Sequence, residues 1–270
     1  MRVIKALFKF YINSSIHVAL AVCSLVGVTA FQLDIKPSAA LLWFIFFGSI
    51  SGYNFVKYAK VAGLHHRSLT NSLRSIQVFS FFSFVAVVFV AFQLKVNTLT
   101  CLAVLGALTL LYAVPLIAGK NLRTLRGAKI LVVAVVWTGV TVVAPLLENG
   151  TGMGAGAFFV FLQRIFVVVV LTLPFEIRDF IFDKPELGTI PQRVGVKKAK
   201  WLGYVLVALI VMLEYGVGRN EWYEWVAILA LAALLSAGLF FSKREQPPYY
   251  ASFWIEGIPM VWFIFLWIFG

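Results

Sequence analysis

Leu173 to Lys200 reads LPFEIRDFIFDKPELGTIPQRVGVKKAK. It follows a long apolar run and holds four of the chain's eleven acidic residues. Glu176, Asp179 and Asp183 are spaced i, i+3, i+7, so a helix that continues through Asp183 puts all three carboxylates on one face. Gly188-Thr189, Pro191 and Gly195 then break the helix, and Lys197, Lys198 and Lys200 follow. Carboxylates at a membrane boundary are costly unless something pairs with them. A divalent cation is the obvious partner, and a phosphate is the obvious reason to hold one. The plainer reading is a solvated helix end with Arg178 and Lys184 as casual partners.

Composition makes the membrane the setting. The 270 residues are 61% hydrophobic and 13% charged, with a mean hydropathy of +0.94. A soluble domain carries roughly 25% charged residues. No polar stretch is long enough for a soluble domain, so residues 1–270 read as one integral membrane domain. The net charge of +12 would suit nucleic acid, but its placement in loops between apolar runs argues against that partner. Cys23 and Cys101 fall inside apolar runs and read as small buried hydrophobes.

Nine apolar runs of spanning length follow one another: about Ile12–Leu33, Ala39–Val56, Ile76–Leu94, Leu99–Ala118, Ile130–Leu147, Ala157–Phe175, Trp201–Val217, Trp222–Phe241 and Phe253–Phe269. A signal peptide cleaved near Val28-Thr29-Ala30 is the alternative for the first, but the run is long enough to span. The predicted fold is all-α, nine transmembrane helices in a single bundle. Alternate loops differ sharply. The N-terminus, 57–75, 119–129, 176–200 and 242–250 hold 19 of the 23 Lys and Arg residues. By the positive-inside rule the N-terminus is cytoplasmic and the C-terminus outside, as in a multi-pass protein of a bacterial inner membrane. The basic loops are also the long ones, so the chemistry belongs to that end.

Here the chain resembles a family. Glu176-Ile177-Arg178-Asp179, Asp183, and the tail Gly188-Thr189-Ile190-Pro191 with Gly195 look like the second aspartate-rich motif of the UbiA superfamily of intramembrane prenyltransferases. Nine spans with an inner N-terminus also match, as does Tyr112-x-x-Pro115 followed by Lys120. The resemblance implies transfer of a prenyl group from an isoprenyl diphosphate to a lipophilic acceptor. It also implies Mg²⁺ and diphosphate held by two aspartate-rich motifs, and a prenyl cavity that opens toward membrane lipid. A terpene cyclase of the same superfamily needs the same ionisation and no acceptor.

The first motif departs from the pattern. Around Asn54 the chain reads GYNFVKYAK, residues 52–60, and no Asp or Glu lies between Asp34 and Glu148. The Asn is present and the carboxylates are not. One reading puts Lys57 and Lys60, a turn apart, in place of a carboxylate-bound metal, because a departing diphosphate needs positive charge from metal or ammonium alike. It implies one Mg²⁺, on Asp179 and Asp183 with help from Glu176, rather than two. A second reading is a non-catalytic protein that binds lipid phosphates or a partner. A third is a positive-inside loop and nothing more.

The diphosphate-contact candidates are therefore Asn54, Lys57, Lys60, Tyr112, Lys120, Arg123 and Arg178, with Asp179 and Asp183 as the catalytic carboxylates. Lys120, Arg123, Arg126 and Lys129 recur every third residue, and anchoring to anionic lipid is the plain reading for that loop. Arg164 lies inside the sixth span beside Gln163 and is expected to pair structurally, with Glu148 or Glu214. Glu256, near the inner end of the last span, is expected to pair with a basic loop. Trp137-Thr138 and Phe79, Phe81, Phe82 and Phe84 read better as packed or lipid-facing groups than as a prenyl cavity lining. The His65-His66 tandem is not expected to share a metal, because adjacent residues on a helix point apart.

Overall fold

The second helix is the axis of the bundle. In the computed structural model, which describes residues 2–62, 71–114, 127–182, 187–218 and 221–270, α1 spans Arg2–Asn13 and α2 spans Ile16–Leu33. Then come α3 (Ala39–Ala62), α4 (Asn71–Ala91), α5 (Val96–Ala113), α6 (Ala128–Thr138), α7 (Ala144–Asn149), α8 (Ala155–Asp179), α9 (Ile190–Val194), α10 (Val196–Val217), α11 (Trp222–Phe241) and α12 (Glu256–Phe269). Helices alone make up the regular structure of the described residues. They include nine segments long and apolar enough to cross a membrane, in the order the hydropathy predicts. The protein is an integral, multi-pass membrane protein.

Four boundaries differ from the sequence reading. The first span starts at Ile16 rather than Ile12, because Ser15, whose φ of 65° is left-handed, breaks the helix after α1. The fifth span joins α6 to α7 through a π-helical stretch, Gly139–Val143, and the ninth joins Tyr250–Ile255 to α12 in the same way. A π turn offers carbonyls to partners outside the helix. Thr141 O accepts the Thr29 hydroxyl at 2.7 Å, and Phe253 O accepts His17 Nε2–H at 2.9 Å. Both donors belong to α2, which is buried along most of its length. Finally, α8 stops at Asp179 rather than continuing through Asp183.

Small residues let the helices close around this axis. A Cβ on Gly27 would run into the Phe263 ring of α12, and one on Gly203 of α10 would meet Leu239 and Leu173. The intramembrane arginine contributes too, by a route the sequence does not reveal. Arg164 is fully buried and pairs with neither Glu148 nor Glu214 directly. It donates to Leu25 O at 2.6 Å, Thr29 Oγ1 at 3.1 Å and Gln32 Oε1 at 3.4 Å, with its guanidinium over the Trp262 ring. Gln32 then donates to Gln163, and Gln163 to Glu214 at 2.6 Å. Two amides thus separate cation from carboxylate, and α2, α8, α10 and α12 are tied together in mid-bundle. Glu148 closes the far end instead, accepting from Lys95 N and Ser38 Oγ.

At the basic end α1 lies across the bundle. Phe8 packs on Tyr249 and Phe253, and Phe10 packs on Phe79 of α4. Val3, Ile4 and Leu7 stay exposed, the pattern of an amphipathic helix lying in a membrane interface.

Candidate diphosphate and prenyl site

Two groups of residues meet at the basic end, and they are built differently. On the α8 side, Glu176 is buried and accepts the backbone N–H of Ile190 at 3.2 Å. Gln192 Oε1 accepts the N–H of Thr189 at 3.0 Å. The first contact holds the start of α9 against the end of α8, and the second caps α9 itself. Asp179 faces elsewhere. Arg178 Nε donates to it at 2.8 Å, and Lys129 Nζ lies 3.9 Å from its second oxygen. Arg178 also lies over the Phe175 ring. Two further ties dock the neighbouring segments here: Gly127 N–H to Leu187 O at 3.2 Å, and Gln246 Nε2–H to Pro174 O at 2.9 Å. Gly127 has φ 74° and lies against the Arg193 guanidinium, so a side chain there meets both strain and a clash. The result is a partly exposed carboxylate flanked by two cations, Arg178 and Lys129.

On the α3 side the polar groups are already engaged. Asn54 is buried, accepts from Ser15 Oγ at 2.8 Å, and donates to Ser14 O at 2.9 Å and Ser80 Oγ at 2.8 Å. It pins the α1–α2 break and α4 onto α3. Lys57 is exposed and sets its Nζ 3.0 Å from Ser15 Oγ. Lys60 lies in the last turn of α3. Tyr58 donates to Asn13 O at 3.1 Å.

A cavity of about 1560 Å³ opens beside Asn54, between α3, α4, α5 and α6. Its wall on α3 runs from Phe44 to Tyr58, which is about 21 Å at the helical rise. Polar groups gather at its basic end: Asn54, Tyr58, Gln77, Ser80 and Tyr112. Trp137 Nε1 donates to Tyr53 Oη at 2.7 Å within the wall, and the rest of the lining is mostly Val, Leu, Ile and Phe, with Gly48, Ser49, Gly106 and Thr109 among them. The space exceeds the roughly 300–1,000 Å³ of pockets for drug-sized ligands. Phe81 and Phe84 line it yet are 63% and 56% exposed, so the wall is open on the α4 side. α4 packs chiefly on α3, and α5 on α6, α7 and the π stretch between them, so the cavity lies where α4 and α5 part. Phe81, Phe84 and Trp137 line this cavity, and the exposure of Phe81 and Phe84 agrees with the packed or lipid-facing reading. That reading also holds for Phe82, which is exposed and does not line the cavity, and for Phe79 on Phe10.

This arrangement has the fold of known proteins. An apo UbiA homologue from Aeropyrum pernix K1 superposes with a TM-score of 0.65 at 14% identity, over 94% of this chain and 98% of that one. The chain has the UbiA fold. A UbiA homologue from Archaeoglobus fulgidus bound to DMAPP and Mg²⁺ gives 0.62 at 15% identity, over 96% and 98%. A structure of digeranylgeranylglyceryl phosphate synthase gives 0.58 at 16% identity, over the same shares. No family model matches the sequence, and neither does any curated protein.

Tyr112 is buried in the last turn of α5 and faces the cavity. Asp183, Lys184, Lys120, Arg123, Arg126 and His65-His66 lie outside the described residues. Among the described residues no three His, Cys, Asp or Glu side chains gather as a metal cage. The donor set nonetheless fits Mg²⁺, which is usually bound through one or two carboxylates plus substrate phosphates rather than by an all-protein cage. Asp179 is such a carboxylate, with 27% of its side chain exposed. Sequence reasoning left Lys129 open, and it reaches Asp179. Glu256 was expected to pair with a basic loop, and its electrostatic neighbours, Lys57 and Arg178, do come from two of those loops. Neither carries a local signal, because both depend on how distant helices pack.

Proposed function

We propose that this protein is a Mg²⁺-dependent intramembrane prenyltransferase, acting on an isoprenyl diphosphate and a lipophilic acceptor. One observation carries the reading. A long apolar cavity ends in polar side chains at the same end of the bundle where two cations flank a partly exposed carboxylate. The prenyl chain lies in the cavity along Phe81, Phe84 and Trp137, and the diphosphate lies at the basic end. Asp179 and Asp183 hold one Mg²⁺ there, which when bound neutralises charge on the diphosphate. Lys57 and Lys60 supply the positive charge that the α3 side lacks as metal, and Arg178, Tyr112, Lys120 and Arg123 complete the phosphate contacts. Glu176 acts through α9, keeping the end of α8 in register. Asn54 keeps Ser15, and through it Lys57, in place. The allylic C–O bond breaks, diphosphate leaves with the electron pair, and the acceptor attacks the carbocation and loses a proton. The N-terminus lies on the cytoplasmic side and the C-terminus outside, in a bacterial inner membrane.

A second reading has its own support. Every polar atom of the Asn54 amide is spent inside the protein, as suits a bundle that binds lipid phosphates without turning them over. Incubation with Mg²⁺ and labelled isoprenyl diphosphates of several lengths separates the two. The enzyme releases diphosphate, and Asp179→Asn abolishes the release. Binding without release at every length, with quinone and phenol precursors present, selects the second reading.

A further inference from the structure

One half of α1 is bound to the bundle and the other half reaches past it. In the bound half, Phe8 packs edge-on against Tyr249 and Phe253, and Phe10 lies on Phe79. The Tyr11 hydroxyl donates to His17 Nδ1 at 2.8 Å, and Ile12 is buried. Asn13 O accepts the Tyr58 hydroxyl at 3.1 Å, and Ser14 O accepts the Asn54 amide at 2.9 Å. In the other half, Val3, Ile4 and Leu7 are 71%, 72% and 64% exposed. At about 100° per residue these three fall on the same side of the helix as Phe8, Phe10 and Tyr11. Lys5 and Lys9 fall on the opposite side and are exposed. The side that docks on the bundle thus continues past its edge as an apolar strip backed by two ammonium groups. No acid lies in α1 to oppose an anion.

The level of α1 in the bundle decides what covers that strip. Leu73–Ala91 and Tyr250–Phe269 are spanning segments, and the rings that α1 touches, Phe79, Tyr249 and Phe253, lie at or near their starts. The helix therefore lies at the edge of the hydrocarbon layer. An amphipathic helix at that depth buries its apolar side among acyl chains and sets its lysines among the headgroups. Lysines there favour anionic headgroups over neutral ones. The bound half leads straight to the cavity mouth. Asn54 and Tyr58 line the cavity, and their hydrogen bonds run to Asn13, Ser14 and Ser15. Phe10 presses on Phe79, the neighbour of Ser80 in the α4 wall. We propose that α1 is a docking surface for anionic lipid headgroups, and that this docking braces the cavity mouth through Asn54 and Tyr58. The brace acts whatever ligand the cavity takes.

Hydrogen exchange read by mass spectrometry tests this on the full-length protein, held at one copy per nanodisc. The bilayers compared are phosphatidylcholine alone and phosphatidylcholine with phosphatidylglycerol. Exchange across residues 2–13 should slow about tenfold when the anionic lipid is present, and exchange across 52–58 should slow with it. High salt should erase both responses. The Lys5→Gln, Lys9→Gln variant should match the wild type in pure phosphatidylcholine, which checks its folding, and lose the response to phosphatidylglycerol. Equal exchange of the wild type in the two bilayers, or a double variant that keeps the response, overturns the lipid docking. Slowing confined to residues 2–13 overturns the brace. Slowing that appears only with two copies per disc gives the strip to a second copy of this chain and overturns the lipid docking as well.

Discussion

Asn54 on α3 and Asp179 on α8 sit at the same end of one bundle and use their polar atoms in opposite ways. Asn54 is buried, and its amide makes three hydrogen bonds to Ser14, Ser15 and Ser80. Asp179 is partly exposed and, among the described residues, its side chain meets the long cationic side chains of Arg178 and Lys129. A carboxylate held by long flexible side chains can trade them for a ligand. An amide locked into a buried network cannot without breaking it, because each buried partner left unsatisfied costs about 1–3 kcal/mol. The α3 side is thus scaffold around Asn54, with Lys57 resting on Ser15, and the α8 side keeps the exchangeable contacts.

The comparison can be broken by mutation. The largest effect is expected at Asp179. Asp179→Asn should lower Mg²⁺-dependent diphosphate release by about 10²–10³-fold while leaving the thermal midpoint in detergent nearly unchanged. Asn54→Ala should do the reverse in kind, costing about 2 kcal/mol of stability, with any lost activity recovered on cooling. Equal thermal shifts in the two variants would erase the distinction between scaffold and site. Next comes the Lys57→Ala, Lys60→Ala pair, expected to weaken pyrophosphate binding about tenfold. Full affinity there would mean that the α3 lysines are topogenic only. The smallest effect belongs to Trp137→Phe, which loses the hydrogen bond to Tyr53 and should cost about 1 kcal/mol, measured as a shift in midpoint with diphosphate affinity intact.

Much of this architecture is legible in the sequence. Hydropathy finds each span because a bilayer demands a long apolar helix whatever its neighbours are. Hydropathy does not reveal the π stretches at Gly139 and Tyr250, since nothing in an apolar run marks the turn that will offer a carbonyl to Thr29 or His17. The acid-rich end of α8 is visible because Glu176 and Asp179 are close in the chain. Their different jobs are not, since spacing alone puts both on one face, while packing sends Glu176 to the backbone of Ile190 and Asp179 to Lys129. Arg164 shows the same limit. Burial of a lone cation predicts a partner, but the partners are a backbone carbonyl, a hydroxyl and one amide rather than Glu148 or Glu214. The cavity lining is harder still, because Phe81 and Phe82 are neighbours of one type and only the packing of α4 separates their roles.

Counting Mg²⁺ ions per bound isoprenyl diphosphate tests the central claim most directly. If the α8 carboxylates hold the metal and Lys57 replaces it on α3, metal analysis of the saturated complex gives one ion per diphosphate. Asp179→Asn should abolish that ion. Two ions per diphosphate would contradict the account, because the second would need carboxylates that the α3 side does not have.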